Sequence, residues 1–430
     1  MLQAILSDMG GAGTFVVRPS GPLVGDVPIS GAKNSVLKLM CATVLCPGRF
    51  VIRNVPRISD VEWMGEVLTA LGIDVAWDGD DVLVVTVGEE VLPFAPYELV
   101  EKMRASTALL GPLLARCGEA HIAMPGGDDF GSRPINLHLE GLEALGATFE
   151  LQHGTIVGRA TTLRGARVSL EYPSVGATEN VMLAAVLAEG TTIIENAARE
   201  PEVADLAAFL NRMGSRVVGA GSPTISIEGV TELRPVDHET IADRIEAATF
   251  AACVAVAGGE VMLVGARDDH MASVIRKMGE MGVRMAPDSR GVWVMSGDRP
   301  RRLDLSTLPY PGIATDVLPM FVAALCCASG TSYATENLYG GRFRYVGELA
   351  RMGADIDVEG HHLVIEGREW LSGAPVRAVD IRAGAALVCA ALKAEGETVI
   401  HDAHHIDRGY HQLDAKLVAV GASVERGVGD

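Results

Sequence analysis

Five ionisable residues open apolar stretches of this sequence at matching places: Lys33, Arg104, Arg244, Asp316 and Arg382 each stand 14 or 15 residues before a glycine that ends the stretch. Ala177 and Thr178 lie near that place in a sixth stretch. A helix N-terminus carries partial positive charge, so a cation there is disfavoured unless an anion lies nearby. Arg133 and Arg408 repeat the oddity, each two residues before the apolar stripe of a second helix. Together these positions predict a phosphate or carboxylate site assembled from several parts of the chain. The alternative is that the cations pair with neighbouring acids or cap carbonyls, and for Arg244, flanked by Asp243 and Glu246, that alternative is preferred.

Asp316 is an acid where the other stretches mostly have bases. An aspartate at a helix start ordinarily caps the helix, yet among cations it would stay ionised and could act as a general base. Asp128, in PGGDDFGSRP, sits on a Gly-Gly loop near Arg133. It reads either as a turn aspartate or as a second acid of the site, with Asp129 competing for the role.

The elements that must position these groups repeat six times. A glycine closes an apolar run at 48, 118, 190, 259, 330 and 396, and a second glycine follows at 72, 146, 214, 282, 353 and 421, a period of about 70 residues. Runs such as SVLKLMCATVL, TFAACVAVA and VLPMFVAALCC precede the first glycine. They are apolar on nearly every side and predict helices buried all round. Before the second glycine the apolar residues fall in 3-4-3 spacing (Val61, Met64, Leu68, Leu71; Val203, Leu206, Leu210, Met213; Met271, Val274, Met278, Met281; Tyr410, Leu413, Leu417, Val420), which marks one face of an amphipathic helix. Ser59 and Glu62 predict a capping box on the first of these helices. Short β-rich runs follow each helix, RFVIRNV, TTIIENA and ETVIHDA among them. The expectation is an α/β fold of two three-repeat groups, helices inside and sheets outside. A doubly wound βαβ fold is the alternative, but its strands would be the buried elements.

The chain has 430 residues, 48% apolar and 21% charged, which predicts two or three domains and excludes disorder as its main state. The net charge of −19 opposes broad nucleic-acid binding. The longest apolar runs fall short of the roughly 18 to 20 residues of a membrane span, and the first residues lack a basic n-region, so a cytoplasmic location is expected. The seven cysteines, an odd number without C-x-x-C spacing, are expected as small core residues.

The blocks ISGAKN (29–34), MRAS (103–106), PGGDDFGSRP (125–134), SVGATEN (174–180), ENAAREPE (195–202), YPGIATD (310–316), RFRYVGELARMGA (342–354) and HIDRGY (405–410) occur in order. Through them the sequence resembles the enolpyruvyl transferase family, most closely its nucleotide-sugar branch, from about residue 18 to the C-terminus. That resemblance implies a two-domain inside-out α/β barrel. One domain would span 33–240 and carry the Asp128 loop; the other would join 1–32 to 241–430 and carry Asp316 and Arg408. Closure between them would exclude water.

The resemblance also implies a reaction. The enolpyruvyl group of phosphoenolpyruvate passes to the 3-hydroxyl of UDP-N-acetylglucosamine, phosphate leaves by addition and then elimination, and neither metal nor redox cofactor takes part. This is the first committed step of peptidoglycan synthesis, serving cell-wall growth, cell shape and division. Lys33, Arg133 and Arg408 match residues that hold phosphoenolpyruvate, and Arg382 matches a further arginine on that side. Asn34, Arg104, Arg133, Pro134, Ile135, Asn136, Leu137, Asp316 and Leu338 match nucleotide-sugar contacts, and Asp316 matches the group that takes the hydroxyl proton.

Four departures stand out. Asp128 occupies a position that is cysteine in many relatives, so a carboxylic acid would protonate the methylene carbon and the chain would be insensitive to the thiol-alkylating epoxide fosfomycin. Asn136 replaces an acidic nucleotide contact, Tyr172 a basic one, and Gly384 a small hydroxyl residue after Arg382. The changes at 136 and 172 motivate an alternative, a paralogue acting on another nucleotide or nucleotide-sugar in specialised metabolism.

Overall fold

The computed structural model describes residues 13–124, 126 and 135–427, which form two compact units. One unit contains residues 31–124, 126 and 135–241 and the other joins 13–30 to 242–427. Each holds three inner helices, three amphipathic outer helices and three principal sheets.

The inner helices are Lys33–Thr43, Leu110–Cys117 and Val175–Ala185 in the first unit, and Arg244–Ala257, Leu318–Cys326 and Ile381–Ala391 in the second. Leu318–Cys326 and Ile381–Ala391 are buried at every residue, as their lack of a polar face demands. The three helices of the second unit pack on one another. In the first unit Leu110–Cys117 packs on Val175–Ala185, and the 3-10 turn Arg104–Leu109 leading into it touches both Val175–Ala185 and Lys33–Thr43. Six of the seven cysteines are buried; Cys117 is half-buried.

All sixteen residues of the four apolar stripes are buried. The stripes belong to the outer helices Ser59–Ala70, Pro201–Met213 and Ala272–Glu280 and to the short helix Leu413–Ala419 with its flanks. The capping box does not form. The N-cap of the first outer helix is Ile58, so Ser59 already lies inside the helix and makes no capping bond.

The third and fifth repeats show the plan of the sheets locally. The first strand runs parallel to a strand that comes just before the inner helix and antiparallel to the second strand of the hairpin after the outer helix. In the second repeat, by contrast, Glu119–Ala123 has a single parallel bridge, Phe94–His121, among the described residues. Thr191–Glu195, for example, pairs parallel with Arg167–Ser169 and antiparallel with Thr224–Glu228. All twelve punctuating glycines have positive φ, between +72° and +127°, which bulkier residues reach only with strain. At Gly259 an added Cβ would also fall 2.0 Å from the Leu23 carbonyl oxygen of the neighbouring strand.

Three sheets are completed across long sequence gaps. Leu23–Pro28 supplies the parallel strand for Gly259–Val264, and Asp237–Glu239 supplies it for Gly48–Arg53. Thr14–Arg18 lies between Thr398–His401 and Ser423–Gly427 and finishes the sixth repeat. Among the described residues no helix is long and apolar enough to cross a membrane.

Candidate functional site

Lys33 is the first residue of its inner helix, preceded by Ala32 as an N-cap without a side-chain bond. The anion that a cation needs at this end is Asp60, from the first turn of the outer helix in the same repeat, with Nζ–Oδ2 at 2.7 Å. Both are buried, so the pair is only slightly screened by solvent. Asn34 follows, half-buried.

Arg104 opens the 3-10 turn and is half-buried. Its charge bears on His138, which burial and the cations Arg104 and Lys38 push down to about 3. His138 is therefore neutral near pH 7, and its tautomer follows from its neighbours. Asn180 Oδ1 accepts from the Gly111 N–H at 2.7 Å, so Asn180 Nδ2 donates, to Thr107 O at 3.0 Å and to His138 Nδ1 at 3.1 Å. That places the ring proton on Nε2. Ile135 is buried and Leu137 half-buried, at the start of helix Asn136–Ala144. Asn136 is exposed and donates to Glu140 Oε1 at 3.2 Å, while Tyr172 is 42% exposed. Asp128, Asp129, Arg133 and Pro134 lie outside the described residues.

The other unit gathers four more of the expected residues. Asp316 does not cap the helix Leu318–Cys326, whose N-cap is Val317. Its carboxylate lies between two buried guanidiniums: Oδ1 accepts from Arg342 Nη1 at 2.7 Å and Oδ2 from Arg382 Nε at 3.3 Å. Burial opposes the charge on Arg342, but Asp316 and Asp380 outweigh it and hold that guanidinium above its ordinary range. Asp380 is the N-cap of the Arg382 helix, accepting from the N–H groups of Arg382 and Ala383 at 2.8 and 2.9 Å. Arg382 also stands over the Tyr410 ring, 5.1 Å from its centroid.

Arg408 is buried and follows the short helix His404–Asp407. A Cβ on Gly409 would meet Ile381 Cγ2 at 2.4 Å and Arg382 Nη1 at 3.7 Å, so this backbone rests against the start of the Arg382 helix. Leu338 is half-buried on the loop after strand Thr331–Thr335. Gly384 faces packing. An added Cβ would come within 2.5 Å of Ile406 Cγ1, which accounts for the missing hydroxyl side chain there.

Arg244 lies over the Tyr310 ring at 5.3 Å, while the neighbouring Glu246 accepts from Lys416 Nζ at 2.6 Å and from the Ser30 N–H at 2.7 Å. Sequence reasoning missed Asp60 and Arg342 as partners of the candidate residues. The available signal was their common place, 12 and 11 residues before the second glycine of their repeats.

One unit supplies a lysine held by an aspartate, and the other a carboxylate held by two arginines. Cations of this kind suit phosphate and carboxylate groups, and such a carboxylate suits a hydroxyl that must lose a proton. Residues 17–417 match the family described as EPSP synthase (3-phosphoshikimate 1-carboxyvinyltransferase). The chain is 49% identical over 413 residues to a UDP-N-acetylglucosamine 1-carboxyvinyltransferase of Corynebacterium jeikeium, covering 96% of this chain and 99% of that one. It is 48% identical over 412 residues to the protein of that name from Mycobacterium tuberculosis, covering 96% and 98%. The crystal structure of the enolpyruvyl transferase NikO from Streptomyces tendae superposes with a TM-score of 0.86 at 25% identity, over 98% of this chain and all of that one. The fold is shared with EPSP synthase from Acinetobacter baumannii at a TM-score of 0.75 and 18% identity, over 96% of this chain and all of that one.

Proposed function

This chain belongs to the EPSP synthase family of enolpyruvyl (carboxyvinyl) transferases, and on that premise we propose that it transfers the enolpyruvyl group of phosphoenolpyruvate to the 3-hydroxyl of UDP-N-acetylglucosamine. The observation that carries this acceptor is the 46–49% identity to proteins of that activity over nearly their whole length. The product feeds peptidoglycan synthesis in the cytoplasm, and hence wall growth, cell shape and division.

Asp316 takes the proton of the sugar hydroxyl as oxygen attacks C2 of phosphoenolpyruvate. The guanidiniums of Arg342 and Arg382 keep it ionised and aimed. Lys33, Arg133 and Arg408 hold the phosphate and carboxylate of the donor, with Arg382 on the same side, and stabilise charge as it develops. Asn34, Arg104, Pro134, Ile135, Asn136, Leu137 and Leu338 hold the nucleotide-sugar. Asp128 or Asp129 delivers the proton to the methylene carbon in the addition; in the elimination that carbon gives up a proton as the C2–O bond to phosphate breaks, which restores the double bond and releases phosphate. An acid in that role needs its pKa raised above the ordinary carboxylate value near 3.9.

The test is incubation with phosphoenolpyruvate and UDP-N-acetylglucosamine, following phosphate release and identifying the product by mass spectrometry. Release with other nucleotides but not with this acceptor would favour the specialised-metabolism paralogue. Because Asp128 offers no thiol, prolonged incubation with fosfomycin leaves activity unchanged; time-dependent inactivation would contradict the assignment of that loop.

A further inference from the structure

Behind Asp316 lies a buried carboxylate that the steps above leave without a role. Glu336 follows strand Thr331–Thr335 and is 1% exposed. Its Oε1 accepts from the Thr307 hydroxyl at 2.7 Å and from the N–H groups of Leu338 and Tyr339 at 2.7 and 3.1 Å. Its Oε2 accepts from the Thr315 hydroxyl at 2.7 Å. Four donors thus converge on two oxygens.

A carboxylate only accepts, so each threonine must turn its single O–H proton toward Glu336. The lone pairs of both hydroxyls then face the other way, and both are used. Thr307 Oγ1 accepts from the Asn337 N–H at 2.8 Å, and Thr315 Oγ1 accepts from Arg342 Nη1 at 3.0 Å. The same Nη1 reaches Asp316 Oδ1 at 2.7 Å. The order Glu336, Thr315, Arg342, Asp316 is therefore a chain of hydrogen bonds whose polarity is set at its buried end.

We propose that Glu336 is a positioning residue for the transfer: through the Thr315 hydroxyl it holds Arg342 in the orientation that fixes the Asp316 carboxylate, and through Leu338 and Tyr339 it ties the adjoining loop to the same group. This rests on the reading of Asp316 as the base. Neither Glu336 nor Thr315 needs to touch substrate.

The decisive variant is Thr315→Val, which keeps the volume and the β-branch, removes the relay, and leaves the contacts of Glu336 to Thr307, Leu338 and Tyr339 in place. The expected result is kcat lowered about tenfold, the size of one lost hydrogen bond to a charged group, with KM for both substrates within about twofold and a melting temperature lowered by the loss of the hydroxyl donor to the buried Glu336 oxygen. Thr315→Ser restores the hydroxyl and the rate. Glu336→Gln is the second variant. Its amide oxygen can serve Thr307, Leu338 and Tyr339, while its NH2 presents a donor where Thr315 needs an acceptor, so kcat falls without a matching rise in KM. Wild-type kcat in a folded Thr315→Val enzyme and in Glu336→Gln would overturn the proposal, as would Thr315→Ser being as slow as Thr315→Val. Asp316→Asn serves as the control. If it is slow while the other variants are not, the relay alone is wrong; if it turns over at the wild-type rate, the reading of the base itself fails.

Discussion

The first and fifth repeats solve one problem with opposite signs. In the first, Lys33 at the start of the inner helix meets Asp60 from the outer helix, 27 residues later; in the fifth, Asp316 meets Arg342, 26 residues later. The repeat fixes the closeness of the two helix starts and leaves the sign of the charges open. In both pairs the member at the inner helix is the more accessible, Lys33 at 9% against 3% for Asp60 and Asp316 at 26% against 4% for Arg342. One fold therefore offers a supported cation in one place and a supported carboxylate in another, and the supporting partner is the more buried one each time.

The comparison breaks first if the buried partner is dispensable. Asp60→Ala leaves the Lys33 ammonium buried beside no carboxylate from the outer helix, and should cost about 3–5 kcal/mol of stability, read as a lower midpoint in urea. A shift below about 1 kcal/mol would mean that the pair behaves as a surface ion pair. Lys33→Met, which removes the cation that the pair presents, should lower kcat/KM by about 10²–10³ in steady-state assays with phosphoenolpyruvate varied.

Smaller effects sharpen the account of the surroundings. Gly384→Ser restores the hydroxyl residue that resemblance expects, but its Cβ meets Ile406 at 2.5 Å, so a loss of about 1–3 kcal/mol in thermal melting should follow. A melting temperature at or above wild type would show that the helix has room there.

A further effect concerns pH. Glu179 pairs with Lys38 at 2.9 Å between two inner helices, and burial, against the pull of Lys38, pushes its carboxyl up to about 7 from 4.5. The folded protein thus holds this proton where the unfolded chain has released it. Its contribution to stability is whole below pH 4.5 and is lost as the pH rises through 7. His138, kept neutral, acts in the opposite sense below 6.5, so the readout is the difference between wild type and Glu179→Gln across pH 4 to 8. That difference should fall with rising pH and level off above 7; a flat difference would mean that Lys38 offsets the burial and that the carboxyl is not raised.

The repeats were legible in the sequence because their marks are local. Positive φ demands glycine at the twelve turns, and full burial demands helices without a polar face. The stripes were legible for the same reason. The partners of the candidate residues were not, because periodicity tells which face a residue occupies but not which helix start lies across from it. Asp60 therefore went without a role, and Arg342 stood in a recognised block without one. The misread capping box at Ser59 came from a boundary one residue early, since Ile58 takes the cap position. The ring partner of Arg244, Tyr310, was not legible because it lies 66 residues further along the chain.

The central claim is that the Asp316 carboxylate, held by Arg342 and Arg382, takes the proton of the attacking hydroxyl. Single-turnover measurement with Asp316→Asn addresses it most directly, using saturating phosphoenolpyruvate and UDP-N-acetylglucosamine and quenching for product. The account predicts a rate lower by about 10²–10⁴ with both substrates still bound. A rate within threefold of wild type would contradict it.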